Sequence, residues 1–181
     1  VLPSLPKDVI IKLPNKFVAA KFYFRQAFPD NIESKNLVRE ILKTVSAKIP
    51  VVCLSTNLDV DDHKDVEVHY NNVTYLSQHM SPENNLAIQS YVISKSCAFI
   101  GTYGGMSYVA SLFGKKSIGI ESLPQYNMPV HLAVASQYLS VGAPVIEILN
   151  DPRTFASDIE KALTVFLATE LVVATTSPAP E

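Results

Sequence analysis

Six short apolar runs punctuate the chain, at 17–24, 51–54, 73–76, 98–100, 117–120 and 145–149. Runs this short and this apolar suit strands buried on both faces of a parallel sheet. Between them, apolar residues recur at helical spacing. Leu37, Val38, Ile41, Leu42 and Val45 lie on one face of a helix that Asn31 can cap and that ends before Pro50. Ser81-Pro82-Glu83 opens a second helix bearing Leu86, Ile88, Tyr91, Val92 and Ile93. A third starts at Gly105 or Met106 and stops at Gly114, which fits the C′ position, with Lys115-Lys116 at the negative end of its dipole. Further helices are expected at about 129–138 and after Asp151-Pro152. Strands alternating with helices predict an α/β fold: a doubly wound, mostly parallel Rossmann-like sheet of about six strands, with helices on both faces.

Residues 17–170 form the expected domain. The lead-in 1–16, with Pro3, Pro6 and Pro14, reads as an extended linker, and 171–181, with Pro178 and Pro180, as a loose tail. No repeat of 20–50 residues is visible. At 181 residues the chain can bury a core without a metal or disulfide staple. A net charge of -2 without a basic stripe argues against nucleic acid as a partner. No apolar run is long enough to span a membrane and no secretory signal is present, so the expected location is cytoplasmic. Cys53 and Cys97 read as small buried thiols, and the sequon Asn72-Val73-Thr74 as coincidence.

Candidate chemistry gathers where strands end. Gly101, Thr102, Tyr103, Gly104, Gly105, Met106 and Ser107 join the fourth strand to the third helix. The glycines can take φ > 0 and leave backbone bare, and amides 105–107 with the Ser107 hydroxyl can cradle a phosphate. A tight packing turn accounts for the same residues. The spacing is not G-x-G-x-x-G, and no glycine follows the first strand, which disfavours a nicotinamide dehydrogenase. Arg25 ends the first strand, where it can clamp a diphosphate or pair with Asp30 or Glu33. Ser77, Gln78 and His79 follow the third strand and can read a base or ribose, or merely cap. Glu121 ends the fifth strand and can accept from sugar hydroxyls, or be a solvated carboxylate. The acidic run 59–65 includes Asp59-Val60-Asp61, similar to a metal-binding D-x-D, but reads better as a solvated loop, so no metal site is assigned. The histidines are scattered and no G-x-S-x-G elbow is present, so no catalytic residue is named.

The run from Asn85 to Ile118, through Gly101-Thr102-Tyr103-Gly104-Gly105-Met106-Ser107 and Ala110-Ser111-Leu112-Phe113-Gly114-Lys115-Lys116, resembles the C-terminal, donor-binding half of GT-B glycosyltransferases. The likeness is good over roughly 81–122 and looser elsewhere. It implies a nucleotide-sugar donor as substrate, no tightly bound cofactor, and a diphosphate near 101–107. It places Arg25 on phosphate, Ser77–His79 beside the base and Glu121 near ribose or sugar. Lys116 departs from the family, where proline is common, and the absent acidic repeat of retaining members implies an inverting enzyme. The acceptor site and base would sit on a missing N-terminal domain. The Pro-rich start and first residue Val1 fit a half cut at its linker, inactive alone. Two other readings stay open: a non-catalytic α/β ligand- or protein-binding module, and a fragment of a sugar-nucleotide epimerase.

Overall fold

The computed structural model describes residues 4–6, 9–25, 28–58, 64–121, 133 and 146–149. The helices expected at 129–138 and after 151, the tail and residues 59–63 lie outside the described residues, Ala133 excepted.

Six strands form one parallel sheet: β1 (Val18–Lys21), β3 (Val51–Cys53), β5 (Val73–Tyr75), β6 (Ala98–Thr102), β7 (Lys116–Ile120) and β8 (Ile146–Leu149). Their order is β5-β3-β1-β6-β7-β8. The chain thus builds outward from β1 in one direction, then returns to build in the other. This is the doubly wound, Rossmann-like arrangement, and its order reverses between β1 and β6. In β1, Val18, Ala19 and Ala20 are wholly buried, as a central strand covered on both faces requires.

Alternation along the strands gives each face its own core. Val18, Ala20, Val51, Cys53, Ala98, Ile100, Ile118 and Ile120 share one cluster with Val38, Ile41, Leu42 and Val45 of α1 (Ile32–Ser46). Asn31 caps α1 as expected, its side chain accepting from Ser34 N at 2.8 Å. On the other face Ala19, Val52, Leu54 and Phe99 pack with Ile88, Val92 and Ile93 of α2 (Asn85–Lys95) and with Ala110 of α3 (Gly105–Leu112). The lead-in is not a bare spacer. Leu5, Val9, Ile11 and Leu13 pack half-buried against this second cluster.

Three boundaries differ from the sequence reading. The first run, 17–24, is not one strand: the sheet strand ends at Lys21, and Tyr23–Phe24 become β2, paired antiparallel with β4 (Lys64–Asp65). Thr102 enforces the departure. Its hydroxyl accepts from Tyr23 N and donates to Tyr23 O, both at 3.1 Å, so a side chain takes over where the β1–β6 ladder stops. Second, α2 begins at Asn85 rather than Ser81, because 81–84 form a turn in which Asn84 Oδ1 accepts from Ser81 N. Third, part of the acidic loop is structured. Asp65 lies in β4 and its carboxylate accepts from Thr56 N at 2.6 Å and Asn57 N at 3.0 Å.

Candidate functional site

A doubly wound sheet opens a crevice at the carboxyl ends of the strands where the order reverses. Here that edge carries, in spatial order, the Ser77–His79 turn after β5, the 54–57 segment after β3, Lys21 to Tyr23 after β1, the 103–105 turn after β6, and Glu121 after β7.

The glycine turn behaves differently from its sequence reading. None of Gly101, Gly104 and Gly105 stands in the left-handed region; among the described glycines only Gly114 does, at φ 71°. Gly104 is extended, at φ 166°. Space is the constraint instead. A Cβ on Gly101 would stand 2.1 Å from Lys21 O, and one on Gly104 2.2 Å from Tyr23 Oη. Gly105 has neither need, since no described atom lies within 4 Å of where its Cβ would be. It is exposed, at the first position of α3. Gly104 at the N-cap supplies no capping side chain, so the amides of Gly105 and Met106 lack intrahelical acceptors. The Ser107 amide is already bonded, to Gly104 O at 3.0 Å. The Ser107 hydroxyl is turned inward, wholly buried and donating to Thr102 O at 3.5 Å, and so lies away from the exposed amides. At the other end, Gly114 N donates to Ser111 O and Lys115 N to Ala110 O, the double bond of a Schellman stop.

Tyr103 donates its backbone N–H to Ile120 O at 2.8 Å. Its ring lies over Gly119, and its hydroxyl is hydrogen-bonded to that of Tyr108. Burial, reinforced by Tyr108 and by the charge of Glu121, raises the Tyr103 phenol, so it stays a neutral donor. Thr102 is spent on Tyr23.

Arg25 is not on the sheet. It is exposed just beyond β2, bridged to Phe28 by hydrogen bonds of 2.8 and 3.0 Å. It remains near the glycine turn through Tyr23, whose hydroxyl touches Gly104. Burial raises the Tyr23 phenol, and the Arg25 charge works against that rise. The residue that does end the central strand, Lys21, was missed by the sequence reading. It is half-buried, donates from Nζ to Gln89 Oε1 at 2.6 Å, and burial lowers its ammonium below the ordinary value. One charge inside the run Phe17-Val18-Ala19-Ala20-Lys21-Phe22 was the available signal.

Ser77, Gln78 and His79 form a 3-10 turn, with β3 between their strand and β1. At the usual spacing of strands that is about 10 Å from the crevice. Gln78 is exposed, and His79 O accepts from Asn84 Nδ2 at 3.3 Å. Glu121 is wholly buried, with neither carboxylate oxygen hydrogen-bonded among the described residues, and burial pushes it above the usual carboxylate range. A protonated carboxyl there can donate a hydrogen bond as well as accept. Among the described residues no cluster of three His, Cys, Asp or Glu could hold a metal. Cys53 and Cys97 are not joined in a disulfide, and burial pushes the Cys53 thiol up to about 12. No described helix is long and apolar enough to cross a membrane.

The site is therefore a crevice with an open, uncapped helix start on one wall and a half-buried lysine at the foot of the other. No family model matches the chain, and no curated protein does. Solved structures are similar, among them two. One is KpsC of Thermosulfurimonas dismutans, a beta Kdo 2,4 transferase, at 12% identity and a TM-score of 0.42, over 66% of this chain and 37% of that one. The other is the glycotransferase of kitacinnamycin, at 11% identity and a TM-score of 0.46, over 93% of this chain and 42% of that one. This chain thus matches less than half the length of either.

Proposed function

We propose that this chain is the donor-binding half of a glycosyltransferase. It holds a nucleotide sugar with the diphosphate over the first turn of α3 and transfers with inversion in company with a separate acceptor domain. The observation that carries this reading is Gly105. A glycine near a helix start costs up to about 1 kcal/mol relative to alanine. Among the described residues neither backbone conformation nor crowding asks for it. Close approach of a ligand to the bare backbone does, and the free amides beneath it favour an anion. The resemblance over 81–122 supplies the chemical class of that anion. On this reading Arg25 serves phosphate and Glu121 the sugar, as the resemblance implies, although Arg25 lies beyond β2 and Glu121 is buried two strands from β1.

The test is binding of a panel of nucleosides, nucleoside diphosphates and nucleotide sugars, by calorimetry, to wild type and Gly105→Val. Selective binding of one diphosphate, lost in Gly105→Val while its melting temperature is held, is the expected result. Unchanged affinity in that variant overturns the placement. Silence across the panel favours a non-catalytic module. Sustained sugar transfer by this chain alone overturns the half-enzyme reading.

A further inference from the structure

We infer that Lys21 is the cation that meets the ligand's phosphate in the β1–β6 crevice, and that Gln89 and Asn85 are positioning residues that aim it. This rests on the donor-site reading above and goes beyond it, because it assigns the charge to a residue on the sheet itself.

Lys21 closes a strand whose three preceding residues are wholly buried, and it faces α2 rather than solvent. Gln89, its acceptor at 2.6 Å, is 1% exposed among Ile88, Val92 and Ile93. Gln89 Nε2 donates to Asn85 Oδ1 at 3.1 Å, and Asn85 Nδ2 donates to Ser81 O at 3.1 Å and Pro82 O at 2.9 Å. An ammonium has only donors, so it fixes the sense of the whole chain. Gln89 must present its oxygen to Lys21 and its nitrogen to Asn85. Asn85 must do the same in turn, and the chain ends on two backbone carbonyls. The ammonium is thereby held on one side by a graded row of amides rooted in the start of α2.

One of its three donors is used, and the other two have no hydrogen-bond partner among the described residues. The nearby Asp65 is engaged by the Thr56 and Asn57 amides. In the register of the sheet Lys21 stands beside Gly101, which adds no side chain of its own there, where the tip of the Phe99 ring already packs. A purely structural role would be filled more cheaply by Met or Leu, since burying a charge and two amides in an apolar cluster costs stability even when they are bonded. Lys21 and Gly101 pair on adjacent strands, about 5 Å apart, and the chain passes from Gly101 through Thr102, Tyr103 and Gly104 to the uncapped start of α3 at Gly105.

The experiment is calorimetric binding of inorganic pyrophosphate and nucleoside diphosphates to the full chain, at two salt concentrations, for wild type, Lys21→Met and Gln89→Leu, with melting curves of each. Lys21→Met is expected to bind about tenfold more weakly or worse, with a shallower salt dependence and a melting temperature at or above wild type. Gln89→Leu keeps the charge but not its aim. It should bind about threefold more weakly with the salt dependence retained, a split that a structural role would not produce. Wild-type affinity and salt dependence in Lys21→Met overturn this inference and leave the donor reading standing. If Lys21→Met fails to fold, unchanged binding by Gln89→Leu overturns it instead. A wild type that binds neither pyrophosphate nor any nucleoside diphosphate overturns the donor reading and this inference with it.

Discussion

The two faces of the sheet are built differently. Beneath α1 the core is largely apolar: its buried polar side chains are Ser34 and Ser46 in the first and last turns of the helix and Thr102, in phase with Ala98 and Ile100, at the carboxyl edge. Beneath α2 and α3 the core contains Gln89, Ser107, Ser111 and Ser117, with Lys21 and Glu121 at its carboxyl edge. The first face does what packing alone requires. The second carries polar groups that packing does not require: Lys21, Gln89, Ser107 and Glu121 toward the crevice, Ser111 and Ser117 toward the opposite edge. The contrast separates residues that hold the fold from residues that the proposed donor site would use.

The largest effect belongs to the dry face. Ile41→Ala should cost about 2–5 kcal/mol in chemical denaturation, while leaving nucleotide affinity per folded molecule unchanged; a matching loss of affinity would erase the division. Next is Gly104→Ala, which drives a methyl into Tyr23 Oη. A cost of about 1–3 kcal/mol is expected. Tyr23→Phe in the same chain should recover most of it, because the next ring atom lies 3.5 Å away. Absence of rescue would show that the constraint lies elsewhere.

Glu121→Gln should act in the opposite direction. Burial holds the Glu121 carboxyl above its ordinary 4.5, so the folded state binds that proton more tightly than the unfolded chain does. The stability linked to it is full below pH 4.5 and is lost as pH rises through the raised folded value. Glutamine cannot ionise. The variant should therefore melt higher than wild type at neutral pH, and the gain should vanish below about pH 4. A gain that persisted there would come from something other than a buried charge. Smallest is Gly105→Ala, expected to raise stability by about 0.5–1 kcal/mol while weakening nucleotide binding. A fall in stability would return Gly105 to the dry, structural class.

The sheet was legible because its strands are short apolar runs bounded by turn residues, and all six expected strands are present. The α1 cap and the Gly114 stop were legible because both are local chemistry. The end of β1 was not. Phe17 to Phe24 is apolar enough to continue, and only Thr102, 79 positions away, decides that it stops. Lys21 was hidden for the same reason, since Gln89 is 68 residues distant. The three turn glycines look alike in sequence, yet two are held by collisions with segments far along the chain and the third by nothing described.

The Thr102–Tyr23 clasp also fixes an order of events. Half of the sheet, β1, β3 and β5, can assemble from nearby sequence, with α1 already covering one side. The crevice cannot, because its second wall arrives only after a loop of about eighty residues closes, and such long-range closures come late in folding. On a ribosome, this domain would have a core before it had the crevice, and a nascent chain arrested before residue 98 would show protected α1 amides and, on the donor reading proposed above, no affinity for nucleotide.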